Sequence, residues 1–308
     1  SPNTIAAYRD TFKLLFGYIH ERTGKAPSSL EISDLNADIV TGFLTHLETV
    51  RGNSVRTRNA RLAAIHSLFA YAALRHPEHA GTIQRVLAIP TARVHRKIVT
   101  WLDDTETAAL LAACDQTTRT GRRDHAMIAL AAQTGLRVSE LIGLTIADIH
   151  IGTGPHVHCL GKGRKQRRTP LLAGIAAILN VWIAENPGAA DDPLFTTSTG
   201  KPLSRDAIER RIRVAVDAAS TACPSLAHKH VTAHTLRHTC AMRLLHAGVD
   251  TTVIALWLGH EQIATTNIYI HADMTIKENA IAKTTPLSTG STRRYQPDDT
   301  TLAFLAAL

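Results

Sequence analysis

Residues 156–171, HVHCLGKGRKQRRTPL, are where this chain departs from helical periodicity. Short β-like pieces flank GKGRKQRR and glycines sit at the bend, which predicts an antiparallel hairpin with a basic tip. Upstream, the apolar residues recur at helical spacing. In NTIAAYRDTFKLLFGYIHERTG, Ile5, Tyr8, Phe12, Leu15, Phe16 and Ile19 share one face, and Gly24 stops the helix. ADIVTGFLTHLETV is a second amphipathic stretch. In SVRTRNARLAAIHSLFAYAALRH, Ser54 is placed to cap the helix and Leu62, Ile65, Leu68 and Phe69 form an apolar stripe. Arg56, Arg58 and Arg61 crowd the first turns of the same helix, as either a solvated basic face or a surface for a phosphate backbone. The expected fold class is mainly α, with a small antiparallel β hairpin or sheet.

The punctuation divides the chain. Residues 1–90 form a helical domain, and Pro90 with the charged run that follows marks a linker at 91–100. A larger domain spans 101–286. It opens at DDTETAALLAAC, where Asp103 and Glu106 have capping-box spacing. DHAMIALAAQTGLRVSELIGL reads as a helix ended by Gly135 and restarted beyond the turn. After the hairpin come a helix near 173–186 and the basic helix SRDAIERRIRVAVDAA. Three short helices follow, divided by Gly248 and Gly259. Residues 284–299 are rich in Ser, Thr, Pro and Gly, and the expectation for 287–308 is a flexible tail ending in the apolar helical stub TLAFLAAL.

Thirty-four Lys and Arg against 26 Asp and Glu give a net charge of +8, which favours a polyanionic partner. Nucleic acid is preferred over membrane, because the basic residues fall in several separate segments and no apolar run is long enough to cross a bilayer. With no basic-then-apolar leader pattern, the expected location is the cytoplasm, at the nucleoid. The four cysteines show no C-x-x-C pair, which predicts reduced thiols rather than disulfides or a zinc site. Glycine-rich nucleotide-binding loops are absent, so no cofactor is expected. His228, His230, His234 and His238 raise the question of a metal. The i, i+4 pair His234 and His238 matches a zinc-protease spacing, but position 235 is Thr where that motif needs Glu, so no metal is expected.

A set of strongly polar residues lies beside turns in apolar surroundings: Arg137 in TGLRVSE, Lys162 in GKGRK, His234 and Arg237 one helical turn apart in HTLRH, His260 in LGH, and Tyr269 in ATTNIYIH. Taken singly, the arginine after a helix stop reads as a surface residue and the tyrosine as a core residue. Together they suit a phosphodiester. Planar guanidinium groups hold two non-bridging oxygens at once as negative charge develops. A phenol with a reference pKa near ~10 is neutral at pH 7 and needs a proton acceptor and cations nearby to act as nucleophile. A lysine on a hairpin tip can protonate a leaving oxygen, and histidines relay protons or donate hydrogen bonds.

TGLRVSELIGL, GKGRKQRR, HTLRHTCAMRLLHAG and LGHEQIATTNIYIH, in this order, resemble the tyrosine recombinases, or phage-type integrases, and look closest to their Xer-like branch. NTIAAYRDTFKLLFGYI is similar to the start of the family's core-binding domain. The resemblance implies an N-terminal helical core-binding (SAM-like) domain and a C-terminal catalytic domain. It implies phosphate-binding roles for Arg137 and Arg237, general-acid work for Lys162 with Lys165 as rival, and general-base or hydrogen-bonding work for His234. His260 would bond the phosphate, Tyr269 would be the nucleophile and Glu140 would support the site. It further implies cutting and rejoining of DNA through a 3′-phosphotyrosine and a Holliday junction, without metal or ATP. Double-stranded DNA with a specific core site would be the partner, bound by a tetramer on two sites, with a sister recombinase as a further partner. DNA contacts would come from Arg56, Arg58 and Arg61 on one side, and from Arg164, Lys165, Arg167, Arg168, Arg210, Arg211 and Arg213 on the other. The role expected is that of a mobile-element integrase. An Xer-type dimer resolvase, a relaxing topoisomerase of related chemistry and a non-catalytic DNA-binding protein remain as alternatives.

Overall fold

The computed structural model describes residues 2–94, 99–161 and 166–260, together with positions 265, 266, 269, 300, 304, 305 and 307. The chain divides into two compact units, residues 1–97 and 98–308.

The first unit is built from helices α1 (Pro2–Thr23), α2 (Ala37–Thr49), α3 (Val55–Ala73) and α4 (Ala80–Leu87). Short polar side chains set where α2 and α3 begin. The Asn36 side chain accepts from the amide of Ile39 at 3.0 Å, and Ser54 Oγ accepts from the amide of Thr57 at 3.2 Å. Leu15, Ile19, Phe43, Leu47, Leu62 and Ile65 are fully buried between the helices. Each contributes roughly 1.5–3 kcal/mol by leaving water. The apolar stripes are shorter than their periodicity predicts. Ile5 is 70% exposed and Leu68 is 38% exposed, because the first turns of α1 bury no side chain before Thr11 and Leu68 lies at the edge of its stripe. The segment after Pro90 is not free at its start: Asn59 donates to the Ala92 carbonyl at 2.7 Å and accepts from the Ala92 amide at 3.0 Å. Residues 95–98 lie outside the described residues.

The second unit packs α5 (Asp104–Ala112), α6 (Arg119–Thr134), α7 (Val138–Gly143), α8 (Ala173–Glu185), α9 (Arg205–Ala219), α10 (Ala233–His246) and α11 (Thr251–Leu258) beside a small sheet. Helix α6 is the centre of this unit. Most of its side chains are buried, and it packs against α5, α8, α9 and α10. The Asp103–Glu106 capping box starts α5, with amide-to-carboxylate bonds of 2.8 and 3.0 Å. The sheet is antiparallel, ordered β1 (Ile149–His150), β2 (His156–Leu160) and β3 (Gln166–Pro170). The hairpin β2–β3 matches the sequence expectation. Strand β1 is an addition, since two residues are too short to show alternation. Residues 284–299 and most of the stub at 300–308 lie outside the described residues; Phe304 and Leu305 are 63% and 58% exposed. No described helix is long and apolar enough to cross a membrane.

Candidate active site

Helices α6 and α11 end in the same way. Gly135 and Gly259 each take a left-handed conformation with φ of 64°, where a glycine avoids the strain a side chain would bring. The space is closed as well: a Cβ on Gly135 would lie 2.5 Å from Leu258 Cδ2. Both turns leave main-chain carbonyls without helical partners, and two guanidinium groups take them up. Arg237 donates from Nη1 to the Gly135 carbonyl at 2.6 Å and from Nη2 to the Leu258 carbonyl at 2.8 Å. Arg137 donates from Nη2 to the Gly259 carbonyl at 2.7 Å. Cations are favoured at helix C-termini by the macrodipole, so the local folds of α6 and α11 prepare both positions. Arg237 is carried by α10 and is 3% exposed. Burial, then the neighbouring Arg137, pull its pKa down to about 10, which leaves it a cation at neutral pH.

Glu140 ties this pair to the sheet. It caps α7 by accepting from the Arg137 amide at 2.8 Å, and its Oε1 accepts from Arg137 Nη1 at 2.8 Å. Arg167 meets the same carboxylate in a two-pronged pair, 2.9 Å from Nη1 to Oε1 and 2.7 Å from Nη2 to Oε2. Burial alone would raise the Glu140 pKa, but hydrogen bonds from Arg167 and from the Arg137 amide outweigh it and hold the group at about 2. Arg167 is thus not the DNA-facing hairpin residue the sequence suggests. Strand alternation places it opposite Cys159, on the face that buries Val157 and Thr169, while Arg168 opposite His158 is exposed.

Tyr269 lies against α10, 1% exposed. Its hydroxyl is 3.0 Å from His238 Nδ1. The His238 ring stands edge-on to His234, with centroids 4.2 Å apart. The His260 ring is stacked at 6.5 Å from Tyr269, and its Nδ1 is 2.8 Å from the hydroxyl of Thr266. Burial pushes the Tyr269 phenol up to about 12, with Arg237 pulling the other way. Burial, aided by Arg237 and Arg137, lowers His260 to about 4; burial, aided by His234 and Arg237, does the same to His238. His234 is lowered by burial and the same two arginines. Neutral imidazoles beside fixed cations can accept a proton or donate one N–H each.

The structure therefore brings together Arg137, Glu140, His234, Arg237, His260 and Tyr269, from three separate sequence segments. Lys162, Arg164 and Lys165 lie outside the described residues. Two contributors were missed by sequence reasoning. His238 entered it only as a metal candidate, although its i, i+4 spacing from His234 already placed both rings on one face of α10. Arg205, at the start of α9, lines a cavity of about 260 Å³ with Arg137, His234, Arg237, Ser139 and Glu209. Three guanidinium groups around so small an opening suit an anion. No group of three or more His, Cys, Asp or Glu placed to hold a metal is found among the described residues.

The remaining basic positions separate by partner. Arg56, Arg168, Arg210 and Arg213 are exposed. Arg58 instead bonds Asn59 at 3.1 Å and stands 3.9 Å from Glu48, and Arg61 donates to Thr11 at 3.2 Å. Arg211 pairs with Asp124, which Arg123 also holds, so its charge is spent within the fold.

Residues 100–275 match the model of the phage integrase family, and residues 1–76 match that of the phage integrase N-terminal SAM-like domain. Integrase/recombinase y4rC of Sinorhizobium fredii is 49% identical over 308 residues, covering 100% of this chain and 92% of that protein. Tyrosine recombinase XerC of Pelobacter propionicus is 31% identical over 277 residues, 89% of this chain and 86% of that one. Among solved structures, the XerH site-specific recombinase in a post-cleavage complex with palindromic difH substrate aligns with a TM-score of 0.71 and 25% identity, over 89% of this chain and 79% of that chain. The Tn1549 transposon integrase on transposon right-end DNA shares the fold, with a TM-score of 0.70 at 18% identity, over 91% of this chain and 93% of that one. With both domains matched, and a tyrosine seated between two histidines, the chain belongs to the phage integrase family of tyrosine recombinases.

Proposed function

We propose that this chain is a site-specific DNA recombinase in which Tyr269 attacks a backbone phosphorus. The observation that carries the reading is the Tyr269 hydroxyl, held 3.0 Å from the neutral imidazole of His238 on α10, the helix that also carries His234 and Arg237 of the arginine-lined cavity. The phenolic oxygen forms a bond to phosphorus and the bond to the 5′-oxygen breaks, leaving a 3′-phosphotyrosine. The phenol's proton passes to His238, the ring that faces it. Arg137 and Arg237 hold the non-bridging oxygens, with His260 and His234 as further hydrogen-bond donors. Lys162 gives its proton to the departing 5′-oxygen. A 5′-hydroxyl from a partner strand then reverses the step, so the ester's energy is kept and no nucleotide is consumed.

The likeness to XerH bound to its difH substrate and to the Tn1549 transposon integrase bound to transposon DNA supports double-stranded DNA as the partner. Two duplexes are exchanged within a tetramer through a Holliday junction. The exposed Phe304 and Leu305 supply an apolar segment by which one copy docks on the next. The relative named integrase/recombinase y4rC supports an integrase role, and the one named tyrosine recombinase XerC supports an Xer-type recombinase as the second reading.

The test is a nicked suicide duplex carrying candidate core sites, with mass spectrometry of the trapped adduct. The reading requires the strand's 3′ end on Tyr269, in chelator, and no adduct with Tyr269→Phe. An adduct on another residue, or rearranged DNA without any adduct, would overturn it.

A further inference from the structure

Arg137 faces a difficulty that its own geometry exposes. It is the outer member of the Glu140 cluster, with 32% of its side chain exposed against 12% for Arg167 and 3% for Glu140. A carboxylate that orients an arginine also cancels its charge, and a neutral ion pair attracts a phosphate poorly. The cluster resolves this with a second cation behind the first. Glu140 gives both oxygens to Arg167 and shares one of them with Arg137. Two guanidinium groups against one carboxylate leave a net single positive charge, and the exposed end of the cluster is Arg137.

Arg167 also touches the other walls of the site. Its guanidinium packs on the turn at Gly259, where an added Cβ would lie 2.9 Å from Nη1. That turn supplies the carbonyl that holds Arg137 and leads directly into His260. Arg167 is the second residue of β3, and the segment that carries Lys162 precedes that strand in the sequence. One side chain therefore joins the hairpin, the carboxylate and the histidine turn.

We infer that Arg167 is a positioning residue for strand cleavage: by carrying the charge of Glu140 it lets the carboxylate orient Arg137 without neutralising it, and it fixes strand β3 against the turn that leads into His260. This rests on the reading of Tyr269 as nucleophile, and the parent protein tests that reading separately, since it must form the Tyr269 adduct before any variant is judged.

The experiment compares adduct formation on the suicide duplex, duplex affinity and thermal midpoint for the parent, Arg167→Gln, Arg167→Lys, Glu140→Gln and the double variant Arg167→Gln/Glu140→Gln. Arg167→Gln should slow cleavage on the order of 100-fold, as removal of one charge-stabilising donor does, with duplex affinity kept within about threefold because both ends of its guanidinium are committed to Glu140. Arg167→Lys, which keeps the charge but not the fork, should fall between it and the parent. The double variant should cleave faster than Arg167→Gln, because removing the uncompensated carboxylate frees Arg137 again; a residue that served packing alone would leave it equal or slower. Parental cleavage by Arg167→Gln, or a double variant no faster than the single one, overturns the inference. If Arg167→Gln does not fold, the same comparison is made with Arg167→Lys alone and combined with Glu140→Gln, and read in the same way.

Discussion

On α3, Arg56 stands in solvent, whereas in the catalytic unit Arg237 is 3% exposed and is held by two main-chain carbonyls. The same side chain serves under two solvation regimes. A surface arginine keeps its hydration and its rotamers, so it contributes a screened and forgiving attraction to phosphates. A buried one has already given up its water. Its desolvation is offset before any ligand arrives by oxygens that the fold supplies, and it is aimed when the phosphate comes. The comparison teaches that, under the proposed mechanism, net charge sets affinity for DNA while the few buried cations act in the chemistry.

The sharpest way to break this contrast is Arg237→Ala. It should reduce adduct formation by on the order of 10²–10³-fold or more, from loss of a transition-state donor. It should also lower the thermal midpoint, because the carbonyls of Gly135 and Leu258 lose their partner. A suicide-substrate assay paired with calorimetry reads both, and an unchanged midpoint would show that the arginine does not support the two turns.

A smaller effect follows from the imidazoles. His238 and His260 fall from 6.5 to about 4 in the folded protein, so between these values the unfolded chain binds protons that the native site refuses. The stability they contribute is therefore fully present above about pH 6.5 and declines as pH drops toward 4. The three tryptophans, Trp101, Trp182 and Trp257, all lie in the second unit, so tryptophan-selective fluorescence follows that unit alone. Its melting midpoint should be lower at pH 5 than at pH 7.5. An equal midpoint at both values would place the imidazoles in a wetter setting.

The smallest effect belongs to the surface. Arg56→Ala should leave the cleavage rate of bound duplex unchanged and weaken binding uniformly across sequences, with the salt slope reduced by about one. Titrations at several ionic strengths read this. A cleavage defect in bound complex would move Arg56 from the surface class to the catalytic one.

Much of this division was readable from the residues, and what was not has identifiable causes. Helices and their caps come from local signals, so the starts at Ser54 and Asp103 and the stop at Gly135 were all visible in a few neighbouring letters. Arg137, Arg237, His260 and Tyr269 announced themselves by sitting beside turns. The basic runs misled because a run of arginines says nothing of direction. In QRRTP, period-two alternation sends Arg168 outward and Arg167 under Glu140, and the cue was Thr169, whose burial fixes the register of its neighbours. Arg211 was lost to Asp124, a residue 87 positions away that no local pattern could supply. His238 was hidden by a competing explanation: the spacing that places it beneath the tyrosine hydroxyl is the spacing of a zinc motif.

The anchoring of Arg237 bears on attempts to retarget an enzyme of this kind to new sequences. Libraries made for that purpose randomise side chains, and the oxygens that hold this guanidinium belong to no side chain at all. Variation at surrounding positions can reshape what the protein reads while the reacting centre keeps its aim, provided the two turning glycines are left as they are.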